Sequence, residues 1–379
     1  MISVRSVSVA VLLAAAVANL APAAAFGQTP GTFTVIASKL DAPRGLRFGP
    51  DGALYIAEAG TGGTNSTGTA CEQVPPPVGP YTGGKTGRIS RVDSNGNLTV
   101  VASGFPSTAD ALGDLIGVAD VAFIGNQLYA LVAGGGCSHG NPDISTGIAV
   151  VNRDTGKWNL IADIGAFLKA HPAKYSSADD FEPDGTLYSM ISRDGILVTV
   201  EPNHGQVFAV TPWGGIGEVI DISASEGHIV PTALAAREDT LYVGNLNLFP
   251  IDPQWARVLT IIHDRHHFDG NVAPGFDLPR QFGRIVGSKA GFTTVLALDF
   301  GPDGLLYALE MSDAPGFPTP GAGKVVRVKH NGDIEEVITG LSFPAGMTFG
   351  PDGRLYVANF GAAPAGLGTI LRFDIAPGW

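Results

Sequence analysis

Apolar and polar residues alternate with a period of two through most of the chain, and the alternation is interrupted at regular intervals by turn-forming residues. The clearest copies are PRGLRFGPDGALYIAE (43–58), TVLALDFGPDGLLYALE (294–310) and PAGMTFGPDGRLYVAN (344–359). Alternation of this period lines the two faces of a pleated strand, and a short turn containing Gly joins two such strands into a hairpin. VADVAFIGNQLYALV (118–132) and VPTALAAREDTLYVGN (230–245) are weaker copies that lack the Pro-Asp-Gly turn. Near 181–201 the segment FEPDGTLY resembles the turn, but that register turns the polar YSSADDF into a strand and leaves one strand too many. The preferred reading starts at Pro183, makes Gly185–Ile191 the first strand and turns at Arg193-Asp194-Gly195 into ILVTVE.

Every hairpin is followed by a third strand: GRISRV (87–92), GIAVVN (147–152), GQVFAV (205–210), ARVLTI (256–261), GKVVRV (323–328) and GTILRF (368–373). A fourth usually follows, as in LTVVAS (98–103), WNLIAD (158–163), GEVIDI (217–222) and IEEVIT (334–339). The pattern predicts an all-β, six-bladed β-propeller of four-stranded antiparallel blades. The blades fall at about 40–103, 117–163, 183–223, 230–288, 293–340 and 343–374. The last blade lacks a fourth strand at the C-terminus, and TFTVIA (32–37) is expected to supply it and close the ring. Insertions interrupt the repeat at 61–86, 163–178 and 263–283, and IGAFLKAHPAKY in the second reads as a short helix. The first two fall on the face where first strands begin, which makes the channel mouth on that face the place to look for a site.

Composition adjusts this picture in three ways. Arg5, the apolar run Val9–Leu20 and Ala23-Ala24-Ala25 read as a signal peptide over 1–25, leaving one propeller domain over 26–379 that is secreted or periplasmic, with no membrane span after cleavage. A net charge of −12, with only 23 scattered Lys and Arg, argues against nucleic acid as a partner, because phosphate binding needs clustered cations. Two cysteines, Cys71 and Cys137, suit an oxidising compartment; both lie in Gly-rich loops after equivalent strands, and pairing and free thiols are both open. A monomer is expected.

Aligned second strands place Glu58, Val132, Glu201, Asn245, Glu310 and Asn359 at one repeated position. Glu58, Glu201, Asn245, Glu310 and Asn359 are an oxygen set that would suit a hard cation such as calcium; the competing reading is that each bonds backbone within its own blade. The starts of the first strands contribute Arg44, Asp120, Asp184 and Thr232, which differ from blade to blade as ligand-facing residues would, although Arg44 with a neighbouring Asp is equally readable as an ion pair. His263, His266 and His267 concentrate in one insertion without an established ligand spacing, and a solvated loop is the simpler reading. His139, two residues after Cys137, would form a thiol–imidazole pair only if that cysteine were free.

The hairpin motif, the run Ala59-Gly60-Thr61-Gly62-Gly63, VPTALAA (230–236) and LYVGNLNLFP (241–250) resemble the ScyD/ScyE family across nearly all of the mature chain. The resemblance implies an exported, NHL-like propeller and carries no established reaction. Asn245-Leu246-Asn247-Leu248 replaces the Glu-Leu-Thr-Gly run usual in that family. The hairpins are also similar to those of gluconolactonase-type hydrolases and soluble quinoprotein sugar dehydrogenases, both six-bladed and calcium-dependent. The lactonase Pro-Asn-Gly, whose Asn binds metal, is replaced here by Pro43-Arg44-Gly45, Pro183-Asp184-Gly185 and Pro344-Ala345-Gly346. The leading expectation is therefore a propeller that binds a small molecule or a protein partner at the channel mouth. A calcium lactonase or a quinoprotein dehydrogenase is the alternative.

Overall fold

One aspartate and one tyrosine close each clear copy of the hairpin. In a computed structural model, which describes residues 32–263, 281–376 and 378, Asp51 accepts from the Ala53 N–H and from the Tyr55 hydroxyl (3.3 and 3.0 Å). Asp303 does the same for Leu305 and Tyr307, and Asp352 for Arg354 and Tyr356. The glycine ending each turn (Gly52, Gly304, Gly353) has φ between 72 and 75°, a left-handed conformation that glycine reaches without strain. The Gly-Pro-Asp-Gly-x-Leu-Tyr motif is thus a self-locking turn, which explains why it recurs intact.

The strands form six antiparallel sheets, five of four strands and one of five. Blade one comprises Pro43–Phe48, Leu54–Glu58, Thr82–Val92 and Leu98–Ala109, with the short strand Leu115–Ile116 added. Blade two comprises Val118–Ile124, Gln127–Val132, Gly147–Val151 and Trp158–Asp163; blade three comprises Ser189–Arg193, Ile196–Glu201, Gln206–Val210 and Ile216–Asp221. Blade four comprises Pro231–Arg237, Thr240–Asn245, Ala256–His263 and Gly283–Phe292; blade five comprises Val295–Phe300, Leu306–Glu310, Gly323–Val328 and Ile334–Leu341. Blade six comprises Gly346–Phe349, Leu355–Asn359 and Gly368–Phe373, and its outer strand is the N-terminal Phe33–Leu40, paired antiparallel from Phe33↔Phe373 to Leu40↔Gly368. First strands of neighbouring blades touch around the whole ring, blade six on blade one included. The chain is a six-bladed β-propeller.

The core lies between blades. Six apolar clusters each draw on two neighbouring blades, as where Leu46 and Ile56 of blade one meet Tyr356 and Ile370 of blade six. Complete burial of one such side chain contributes about 1.5–3 kcal/mol. The motif tyrosine serves this interface too, packing edge-on against a phenylalanine of the next blade. The pairs Tyr55–Phe123, Tyr242–Phe300, Tyr307–Phe349 and Tyr356–Phe48 have ring centroids 4.9–5.3 Å apart.

Three boundaries depart from the sequence reading. Blade three begins at Ser189 and not at Gly185, because Gly185 has φ 72° and closes a turn onto the Glu182 carbonyl. Its hairpin does turn at Asp194-Gly195, where both φ values are positive, as a two-residue turn between twisted strands requires. The third strand of blade one starts at Thr82, so the 61–86 insertion ends inside the sheet, and blade four runs to Phe292. The expected helix is present over Ile164–Ala170, capped by Asp163 accepting from the Ala166 N–H. Among the described residues no helix is long and apolar enough to cross a membrane. The leader expected over 1–25, His266 and His267 lie outside the described residues.

Candidate functional site

The repeated strand-end position is a tether and does not form a cation ring. Glu58 accepts from the Asp41 N–H, Glu310 from Thr293 and Asn359 from Ser342, at 2.7, 2.9 and 2.8 Å, each partner lying 17 residues upstream in the loop entering the same blade. Glu201 accepts from the Thr186 N–H, and Asn245 donates to the Ile229 carbonyl while accepting from the Arg257 N–H. The side chains are buried and bonded within their own blades, although Glu310 Oε2 accepts no hydrogen bond among the described residues and lies 3.6 Å from Lys324 Nζ. Burial works against ionisation of Glu201, but the His204 charge and hydrogen bonds from Thr186 and His204 outweigh it and hold the carboxyl below its ordinary range. Among the described residues no three His, Cys, Asp or Glu side chains are grouped to hold a metal. These five residues do not fit a calcium ion, which needs oxygens that converge.

Arg44, Asp120, Asp184 and Thr232 separate into three places. Arg44 and Thr232 line a cavity of about 190 Å³ at the channel mouth. Asp120 sits deeper, in the channel, accepting from the Val121 and Met190 N–H groups at 2.8 Å. Burial there pushes its carboxyl up to about 6 despite the nearby Arg47. A side chain on Gly45 would bring its Cβ within 1.9 Å of Asp120, so the inner strand requires glycine at that point. Asp184 is turned away from the mouth and accepts from Ser138 and Lys169. It is a structural acid, tying Ser138, in the loop that carries Cys137, to Lys169 of the helix Ile164–Ala170.

That loop is clamped to the 61–86 insertion. Cys71 and Cys137 form a disulfide, Thr67 donates to the Cys137 carbonyl at 2.7 Å, and Asn65 donates to the Gly140 carbonyl. His139 therefore has no thiol partner and makes a different one. Its Nε2 lies 3.2 Å from Glu182 Oε2, its Nδ1 faces the Gly135 carbonyl, and its ring stacks on Tyr81. Tyr81 donates to the other Glu182 oxygen at 2.6 Å. Both imidazole nitrogens thus face oxygens, an arrangement suited to the doubly protonated ring; burial opposes that charge, and Glu182 prevails and raises the His139 pKa.

Three irregular segments build the mouth cavity with Arg44 and Thr232. Tyr81 comes from the insertion, Asp110 and Asp114 from the link between blades one and two, and Glu182 and Tyr188 from the link into blade three. Phe249, Leu296, Met311 and Ala362 line the cavity and belong to one apolar cluster. Arg44 donates to Asp114 at 3.0 Å and to the Leu115 carbonyl at 2.5 Å. Asp110 Oδ1 accepts from the Leu112 and Asp114 N–H groups. Burial, then the adjacent Asp114 charge, push the Asp110 carboxyl up to about 7. None of Tyr81, Asp110, Asp114, Glu182 and Tyr188 occupies a repeated position, and alignment of blades passes over them; the one signal available was their placement in segments entering the face already singled out.

Asp110 carries a stability cost whose sign follows from that shift. The folded protein keeps this proton to about pH 7, whereas the unfolded chain releases it near 3.8, so stability falls as pH rises between those values. Asp110→Asn keeps the Oδ1 acceptor and should raise the unfolding free energy by up to about 4 kcal/mol at pH 8, with little gain at pH 4. Urea denaturation at the two pH values checks this.

No family model and no curated protein matches the chain. Solved propellers do. Regucalcin from Agrobacterium tumefaciens, described as calcium-binding, superposes with a TM-score of 0.53 at 14% identity, covering 92% of this chain and 95% of its own. The PQQ-bound aldose sugar dehydrogenase of Streptomyces coelicolor gives 0.52 at 12% identity, with 92% and 98% covered. A structural-genomics protein provisionally described as a gluconolactonase gives 0.50 at 14%, with 92% and 94% covered. At such identities the likeness shows the fold alone.

Proposed function

We propose that this chain is an exported propeller that binds a small molecule in the mouth of its channel, as a binding component of an extracytoplasmic pathway and a relative of the ScyD/ScyE proteins. The observation that carries the reading is the mouth cavity. Side chains from three irregular segments are brought together over an apolar floor, with a few polar groups aimed inward, which is the usual make-up of a small-molecule site. Export is supported by the leader-like N-terminus and by the disulfide, which persists in oxidising compartments. The calcium lactonase and quinoprotein readings share the fold, and fold does not transfer chemistry. The strand-end oxygens a calcium lactonase would need are engaged as tethers.

A fragment library screened by ligand-observed NMR tests the reading. Leu112 lines the cavity from a partly exposed turn, so Leu112→Trp fills the mouth without entering the core. Fragment hits should weaken at least about tenfold in this variant, a loss of the order expected when a pocket is filled. Hits that survive unchanged, or no hits at all, would overturn the proposal. A tight stoichiometric calcium site in a calorimetric titration, lost in Glu310→Gln, would favour the hydrolase instead.

A further inference from the structure

We propose that the mouth cavity takes a small organic cation, an ammonium group on an apolar body, with the ammonium against Asp110 and the body over Phe249 and Leu296. The inference rests on the reading that this cavity binds a small molecule, and it names the chemical class.

All but one of the acids lining the cavity have a basic side chain against them. The carboxylates lining it are Asp110, Asp114, Asp180 and Glu182, and the one guanidinium is Arg44. Arg44 pairs with Asp114 at 3.0 Å, His228 with Asp180 at 2.8 Å, and His139 with Glu182 at 3.2 Å. Asp110 is the remaining acid. Its Oδ1 takes the Leu112 and Asp114 N–H groups, and among the described residues no basic side chain forms an ion pair with it. An ammonium donates hydrogen bonds to a carboxylate and matches its charge, whereas a carboxylate or phosphate would face a surplus of like charge. The apolar floor of Phe249, Leu296, Met311 and Ala362 fits a hydrocarbon body and offers nothing to a highly hydroxylated one. A net charge of −12 also draws cations toward the surface.

The groups facing Asp110 determine the pH signature. They are Asp114 on its own turn, Arg44 on the first strand, Tyr81 on the insertion and Glu182 on the link into blade three. Tyr81 stays protonated, since burial and then Glu182 raise its pKa well above the ordinary value. With the Asp110 pKa at about 7, cation binding should release a proton at pH 6 and almost none at pH 8.

Calorimetric titration of the whole mature protein with 2-phenylethylamine, 2-phenylethanol and phenylacetate tests the inference, because the three share a ring and differ in charge. The amine should bind at least about tenfold tighter than the other two. It should bind about tenfold more weakly at pH 6 than at pH 8, the ratio of ionised Asp110 at the two values, while the amine itself stays charged at both. Asp110→Asn should abolish both the preference and the pH dependence; if that variant fails to fold, the preference for the amine over the alcohol in the unaltered protein still decides. Alcohol or phenylacetate binding as tightly as the amine would overturn the cation and leave the small-molecule reading standing. Binding of none of the three would overturn the cation, and fragment hits lost in Leu112→Trp would then show that the cavity takes another class.

Discussion

Replacing both Cys71 and Cys137 by serine should lower the free energy of unfolding by about 4 kcal/mol, the loop-closure value for a cross-link spanning 66 residues. The folded structure should survive the change. Its clamp retains the Thr67, Asn65 and Lys85 contacts to the 137–143 segment, together with the Asn65↔Gly83 bridge. The loss acts instead on the unfolded chain, which regains the freedom that the cross-link removed. Urea denaturation of the variant beside the oxidised protein checks the value. A change below about 1 kcal/mol would mean that the insertion is held by its hydrogen bonds alone. Because Tyr81 stacks on His139 across this clamp and also lines the mouth, the same variant should loosen one wall of the cavity.

Glu58→Ala should lower stability by about 3 kcal/mol, the lower end of what breaking a buried ion pair costs. Glu58 is fully buried and accepts from the Asp41 N–H, from Arg88 Nε and Nη2 at 2.9 and 2.6 Å, and from Ser90. Removal strips a partner from each, although Arg88 keeps Asp41 at 2.9 Å, which limits the damage. Asn359→Ala, which frees the Ser342 N–H, should lower stability by only about 1–2 kcal/mol. Equilibrium denaturation in the presence and absence of calcium separates the two accounts of this position. Tethers give the same losses in both conditions, whereas metal ligands give losses that appear only with calcium.

The repeat made the architecture legible because it is written by local chemistry. The Asp51-to-Tyr55 lock is complete within five residues, and its copies in blades five and six announce the hairpins directly. Ring closure was legible for a related reason, since Phe33–Leu40 had the alternation of a fourth strand and no blade of its own. Blade three was harder. The Glu182–Gly185 turn keeps the motif's bond from the closing glycine N–H, but the next N–H, that of Thr186, goes to the Glu201 carboxylate, and Asp184 accepts from Ser138 and Lys169. The alignment that found the strand-end residues also suggested a shared ligand, yet a tether copied with its blade leaves the same trace as a ligand ring. Only the partners, each 15–17 residues upstream for the four simplest cases, distinguish them.

The mouth cavity was legible by location and not by residue. Arg44 and Thr232 were visible at first-strand starts, but Asp110, Tyr81 and Glu182 meet through links whose course no periodicity describes. Asp120 lies on the first strand of blade two, where the Val121 and Met190 N–H groups hold it in the channel, whereas Asp184 lies in the loop ahead of the first strand of blade three, held by Ser138 and Lys169.

Crystals of the mature protein soaked in a fragment mixture rich in arylalkylamines test the central claim most directly. The account expects density in the mouth, between Asp110 and the Phe249–Leu296 floor, with an amine nitrogen within hydrogen-bond distance of Asp110 Oδ2. Density confined to other clefts, such as the one lined by Val198, Val219 and Leu241 between blades three and four, would contradict it.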